Sequence, residues 1–370
     1  MLKETQGRVI GFLNAAGYIS FFTLRKKLIS KISLIYETIL KRPPFFLILP
    51  LLLLFTLLDT AHGIRLTNVK HLFDIKQDFS QPSDVSVSKE GIIYVVDGVN
   101  SKIKAFNQKG KFIFSFGKKG PLKGQFKSPM GIDIDDSGRV YIADAGNRRV
   151  QIFNSTGSFI SQIRVPPKDD NPADPTDVAV NEAGNKLHVV DNDNHYILMY
   201  DLSTLEQIKT FGMPGIEERE FRYPFLAALD KDKYLYVTDV INTRVQVFNP
   251  DGLFVMVIGG WGVEKGKFFR PKGVAVDKLN RLFVSDSYMG VIQVFLSSGD
   301  FYSVLGDPVK GAVKKFIKPM GIYIDDNNRL YVVEMFSEKV SVYSIEGDTG
   351  SNKKDEEVKD EEDMGQPVSE

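Results

Sequence analysis

The stretch FKSPMGIDIDDSGRVYIADAGNRRVQIF, residues 126 to 153, can be read in two incompatible ways, and the choice decides the fold. Taken alone, it imitates a calcium loop: Asp133, Asp135 and Ser137 alternate, Gly138 is sixth and Asp144 twelfth. Taken as one copy of a repeat, its residues 133–144 are two strands with a turn, and a hairpin does not wrap round an ion. Whether copies exist is therefore the first question.

They do. Pro82, Pro129, Pro175, Pro224, Pro271 and Pro319 recur 46 to 49 residues apart. About fifteen residues after each stands an acid: Asp97, Asp144, Asp191, Asp239, Asp286 and Glu334. Nine residues further on comes an aromatic: Phe106, Phe153, Tyr200, Phe248, Phe295 or Tyr343. Three before each acid sits Tyr94, Tyr141, His188, Tyr236, Phe283 or Tyr331. Each unit reads as four short strands separated by turn residues, as in GIDID, VYIAD, RVQIF and FISQI. Units of this size imply an all-β, six-bladed β-propeller with four-stranded blades, each packed on both faces. The last unit stops after its third strand at KVSVYS, and VKHLFDI, residues 69–75, has no unit of its own. The ring is therefore expected to close through an N-terminal strand that completes blade six, which removes its free edge.

The linkers GKKGPLKGQFKSPMGIDID and GGWGVEKGKFFRPKGVAVD, followed by VYIADAGNRRVQIF and RLFVSD, resemble the NHL repeat over residues 66–345. That resemblance implies the same propeller. For function it spans protein-binding and RNA-binding modules, extracytoplasmic sensor domains, and a few lyases or lactonase-like relatives.

The ends differ from the middle. Residues 1–63 carry eight Lys/Arg against three Asp/Glu and residues 346–370 three against ten, so the net charge of +0 conceals oppositely charged ends and leaves the middle near neutral. Such a centre gives no global argument for nucleic acid, which is not the expected partner. Residues 43–58, PPFFLILPLLLLFTLL, are uncharged and follow Lys41 and Arg42. This predicts a basic cytoplasmic segment (1–42), a transmembrane helix or signal-anchor (43–61), the propeller (64–345) on the extracytoplasmic side, and an acidic disordered tail (346–370). Cleavage near Gly63 is the alternative to retention, and a buried core helix is a third reading that Pro43, Pro44 and Pro50 disfavour. Cys 0 excludes disulfides and thiolate chemistry.

Within the repeat, the Asp-x-x-Asn pairs read as backbone ties, since several blades share them. Departures from the repeat carry more information. The second and fourth residues after each proline should face the channel, which puts Asp84, Asp133 and Asp177 on one arc as candidate ligands of a divalent cation. No other cofactor is indicated, and no nucleophile or phosphate-loop motif is present. His188 reads as packing, and His195 lacks triad partners. The linkers and the loops between second and third strands should share one face. Its non-repeating Tyr196, Phe225, Trp261, Tyr288, Met289, Met335 and Phe336 are the candidate binding surface for a protein or peptide. The expected function is a membrane-tethered, non-catalytic scaffold or sensor module; the alternative is a lyase-like or lactonase-like enzyme with a channel metal.

Overall fold

Residue types that favour a half-buried pleated surface dominate every unit, and the computed structural model folds them as short strands. The structure describes residues 64–349; the segments 1–42 and 43–61 and nearly all of the acidic tail lie outside them. Among the described residues no helix is long and apolar enough to cross a membrane.

Four separate four-stranded antiparallel sheets follow one another in the chain. The first is β2 (Pro82–Val87), β3 (Ile93–Asp97), β4 (Lys102–Phe106) and β5 (Phe112–Phe116). The second is β6 (Pro129–Ile134), β7 (Val140–Asp144), β8 (Arg149–Phe153) and β9 (Phe159–Arg164). The third is β10 (Pro175–Asn181), β11 (Lys186–Asp191), β12 (Tyr196–Asp201) and β13 (Gln207–Phe211). A small parallel pair, β14 (Met213–Pro214) with β15 (Glu220–Phe221), precedes the fourth sheet. That sheet is β16 (Pro224–Leu229), β17 (Leu235–Asp239), β18 (Arg244–Phe248) and β19 (Phe254–Gly259).

A nine-stranded sheet holds the remainder. One half runs β20 (Pro271–Val276), β21 (Leu282–Asp286), β22 (Val291–Phe295) and β23 (Phe301–Asp307), with β24 (Ala312–Val313) beside β23. The other half runs β25 (Pro319–Ile324), β26 (Arg329–Glu334), β27 (Lys339–Thr349) and then β1 (Leu66–Ile75). β1 lies antiparallel to β27, with Ile75 opposite Val340 and Val69 opposite Ile345, so the two ends of the repeat region do pair. Its first residues also run parallel to β23, Leu66 opposite Val304, and this joins the two halves. Each first strand touches the next, in the order β2, β6, β10, β16, β20, β25 and back to β2. The architecture is a β-propeller.

The hairpin reading of residues 133–144 holds. Asp133 lies opposite Tyr141, and between them the Asp135 carboxylate caps the turn, accepting from the backbone N–H of Ser137 and Arg139 at 3.0 and 2.8 Å. The turn needs a residue at φ +80°, which Gly138 supplies.

Packing between sheets is aromatic. Each linker phenylalanine meets the aromatic at the end of a third strand: Phe79 with Phe106, Phe126 with Phe153, Phe221 with Phe248, Phe268 with Phe295 and Phe316 with Tyr343. Their ring centroids lie 5.4 to 5.9 Å apart. The linker before β10 has no phenylalanine, and Ala173 and Leu202 fill the space near Tyr200 instead. Phe153 is almost fully buried and touches Phe116, Phe126 and Phe159 at 4.9, 5.5 and 6.0 Å. Replacing a buried aromatic by alanine removes its transfer energy and leaves a cavity, about 3–5 kcal/mol together. Phe153→Ala should therefore lower the melting temperature by several degrees, whereas Phe112→Ala, on a half-exposed ring, should cost much less; calorimetry of the two variants checks the ranking.

Candidate functional site

The repeating acids resolve first. Asp97, Asp144 and Asp239 each accept the N–H of a linker residue, from Ser80, Lys127 and Arg222, at 2.8 Å. Asp191, Asp286 and Glu334 take Asp174, Phe269 and Ile317 at 3.0, 2.7 and 2.8 Å. Asn100, Asn147, Asn194 and Asn242 donate to their acids at 2.8 to 2.9 Å. A buried cation completes three of the sets: Lys104 on Asp97, Arg149 on Asp144 and Arg244 on Asp239. These clusters fix the linker to the loop after the second strand; they are scaffold.

The non-repeating acids line a central cavity of about 240 Å³, which also presents aliphatic side chains, Lys233 and Tyr323. A β-bulge between each proline and the residues that follow it breaks simple alternation, so backbone groups of the inner strands also turn inward. The three carboxylates serve those groups. Asp84 accepts from the N–H of Ile132 on the next sheet at 3.1 Å. Asp133 accepts from Val180 at 2.7 Å, and Asp177 from Ala227 at 2.7 Å. Hydroxyls do the complementary work. Ser83 donates to the Met130 carbonyl, Thr176 to that of Phe225 at 2.9 Å, Thr238 to Lys272 at 3.0 Å, Ser285 to Met320 at 2.8 Å, and Tyr323 to Val87 at 3.2 Å. Every contact between successive inner strands thus carries a side-chain bond to the neighbour's backbone.

Two glycines make room for two of the acids. A Cβ on Gly131 would lie 2.1 Å from the Asp177 Oδ1, and one on Gly321 would lie 2.1 Å from the Asp84 Oδ1. The second Asp177 oxygen is thereby sealed against the chain and has no hydrogen-bond partner.

Burial pushes the carboxyl of Asp84 up to about 8 and that of Asp133 up to about 6, against the lowering effect of their N–H donors. Asp177 is raised well above the usual carboxylate range by burial first and by Asp84 second. The arc of three acids is therefore present as read from the sequence, but one oxygen of each is taken by a backbone donor of the next sheet. Among the described residues no three His, Asp or Glu side chains gather as a metal-ligand set. His188 is packing, its imidazole held down to about 4 by burial. The His195 Nδ1 accepts the Tyr223 N–H at 3.1 Å.

The candidate partner face divides. Linkers and second-to-third-strand loops do share an end, joined by backbone bonds such as Gly146 N–H to the Lys127 carbonyl and Ser287 N–H to that of Arg270. On it Trp261 is 76% exposed, Tyr288 61% and Phe336 64%, and Met289 and Met335 are half-buried. Two residues assigned to this surface belong inside. Tyr196 is 4% exposed, packed with Leu198 and Tyr200 between two sheets; Phe225 is 6% exposed, because the residue after the proline points to the axis and not outward. Phe269 stacks on Tyr288 at 4.0 Å and Lys318 covers it at 5.3 Å, which holds an exposed ring in place.

A family model described as a 6-bladed beta-propeller matches residues 76–171 and 134–236. No curated protein matches the chain. Among solved structures, a streptogramin B lyase is 12% identical, covering 74% of this chain and 97% of its own, with a TM-score of 0.55. A Bacteroides thetaiotaomicron protein of unknown function is 16% identical, covering 76% and 73%, TM-score 0.56. Kuenenia stuttgartiensis hydrazine synthase is 12% identical, covering 72% and 96%, TM-score 0.52. At these identities the likeness shows the fold alone.

The raised carboxyls have a consequence for stability. A native state that holds a proton more tightly than the unfolded chain loses stability as pH rises from the unfolded value to the folded one. For Asp84 that window runs from about 4 to about 8. Asp84→Asn keeps an acceptor for Ile132 without the charge. Its melting temperature should exceed the parent's at pH 8 and converge on it toward pH 4, read by calorimetry across that range.

Proposed function

We propose that this chain is an NHL-like propeller of six blades that binds a protein or peptide partner without catalysis. In this reading β20–β23 form the fifth blade, and β25, β26, β27 and β1 form the sixth. The binding surface is the linker face, carried by Trp261, Tyr288 and Phe336 with Met289 and Met335 between them. The observation that carries the reading is their exposure: three large aromatic side chains stand out from one end of the ring, and such patches suit a partner. The hydrophobic run 43–58 and its basic flank support a membrane tether, with the N-terminus cytoplasmic and the propeller extracytoplasmic.

The triple variant Trp261→Ser, Tyr288→Ser, Phe336→Ser tests the face, because exposed substitutions leave stability nearly unchanged. Crosslinking in membranes followed by identification of bound proteins should show the partner lost with the melting temperature kept. An unchanged set of bound proteins would refute the assignment. Protease added to either side of the same membranes reads the topology.

The three carboxylates on one arc motivate the alternative, a lyase-like or lactonase-like enzyme with a divalent cation at Asp84, Asp133 and Asp177. It requires those groups to give up backbone donors for an ion. Calcium titration of the propeller is expected to leave the melting temperature unchanged; a saturable rise would favour the enzyme.

A further inference from the structure

Near the axis, the residue after the repeat proline contributes to one apolar cluster from three sheets, as Met130, Phe225 and Met320. Phe225 and Leu226 pack there in one cluster with Met320 and with partly buried Met130 and Met335, although the sheets that supply them are not neighbours. Such a cluster forms only where the sheets converge. Into it the fifth proline sends Lys272, whose ammonium lies 3.9 Å from the centre of the Phe225 ring.

This cation differs from the paired interior ones. Lys104, Arg149 and Arg244 each hold a carboxylate, whereas among the described residues neither Lys272 nor the channel-lining Lys233 has an ion pair or a side-chain hydrogen bond, and of these two it is Lys272 that lies over the Phe225 ring. Burial first, and Arg270 second, bring its amine down to about 8. A half-buried charge without a counter-charge destabilises the fold, and a ring face recovers only part of that loss. The Thr238 bond to the Lys272 carbonyl does not need this side chain, since any residue supplies a carbonyl. The amine therefore has no structural task that the neighbouring apolar positions lack.

We propose that the channel mouth binds a carboxylate flanked by an apolar group, the free C-terminus of a partner peptide, with Lys272 as its counter-charge and the partly buried Met130 and Met335 as the seat for the last side chain. The inference rests on the linker face being the partner surface and names the chemistry recognised at its centre. Charge complementarity selects the anion, and the apolar seat selects what the anion is attached to.

The test uses three probes on the whole propeller by titration calorimetry: acetyl-phenylalanyl-leucine as the free acid, its C-terminal amide, and acetyl-leucyl-glutamyl amide. The free acid should bind at least about tenfold more tightly than the amide, a difference of about 1.4 kcal/mol. Lys272→Met should abolish that preference while keeping or raising the melting temperature, and Lys272→Arg should retain it. Equal binding by the side-chain acid would keep the carboxylate site and move its source from a chain terminus to a glutamate. Equal binding of acid and amide, no binding of any probe at about 10 mM, or a preference that survives Lys272→Met overturns the proposal. Partner loss in the Trp261, Tyr288 and Phe336 variant, with Lys272→Met still binding its partner, would remove this inference and leave the wider reading standing.

Discussion

The inner edge of each first strand carries N–H and C=O groups that no further strand can satisfy, and the rest of the structure answers to that constraint. A buried backbone group left unpaired costs about 1–3 kcal/mol, and a ring repeats the problem at every turn. Here each interface is closed by side chains that reach forward to the following sheet. Carboxylates serve the donors Ile132, Val180 and Ala227, and hydroxyls serve the acceptors Met130, Phe225, Lys272, Met320 and Val87. Ser83 with Asp84, and Thr176 with Asp177, are the same two-part device used twice. In both cases glycine stands on the preceding sheet, because a Cβ there would collide with the acid.

This explains why the channel looks like a site. Acids concentrated on one arc, with carboxyls raised by burial, are the features by which catalytic groups are recognised. The same features arise when desolvated carboxylates cap backbone donors. What separates the cases is what the oxygens bind, and here one oxygen of each acid accepts a backbone N–H of the following sheet. Function is then sought where the scaffold has no use for a side chain: at exposed Trp261, Tyr288 and Phe336, and at Lys272, whose ammonium lies over the Phe225 ring.

The repeat made the strands, the hairpin at residues 133–144, the linker phenylalanines and the Asp-x-x-Asn ties legible, because each recurs at a fixed spacing whose physical reason is local. The pairing of VKHLFDI with the last strand was legible for a related reason: the sixth unit lacked a strand and this segment had no unit. Cross-sheet geometry was not. Alternation alone cannot anticipate the bulge after each proline, so it places Phe225 outward when the ring lies at the axis, and it gives no signal for Lys272. Tyr196 failed similarly, since a loop position by count became the first residue of β12, packed against the neighbouring sheet. The Ser/Thr-Asp pair after Pro82 and Pro175 was a usable signal, since its acid coincides with glycine one repeat earlier at Gly131 and, round the ring, at Gly321.

Closure by the two ends sets how this ring responds to disturbance. The sheet of β25, β26 and β27 lacks its fourth strand until residues more than two hundred and fifty positions away arrive, as the Lys339–Asp74 ion pair at 3.0 Å illustrates. Contacts of such separation form late and are lost together, because the loop entropy they close is large and no local turn holds them. The structure backs this junction with a second ladder. Leu66, Thr67 and Asn68 pair with β23, and the Val304 N–H donates to the Arg65 carbonyl at 3.1 Å. β1 therefore fastens two sheets at once. The paired ends gain the cooperativity that the other sheets obtain from being continuous in sequence.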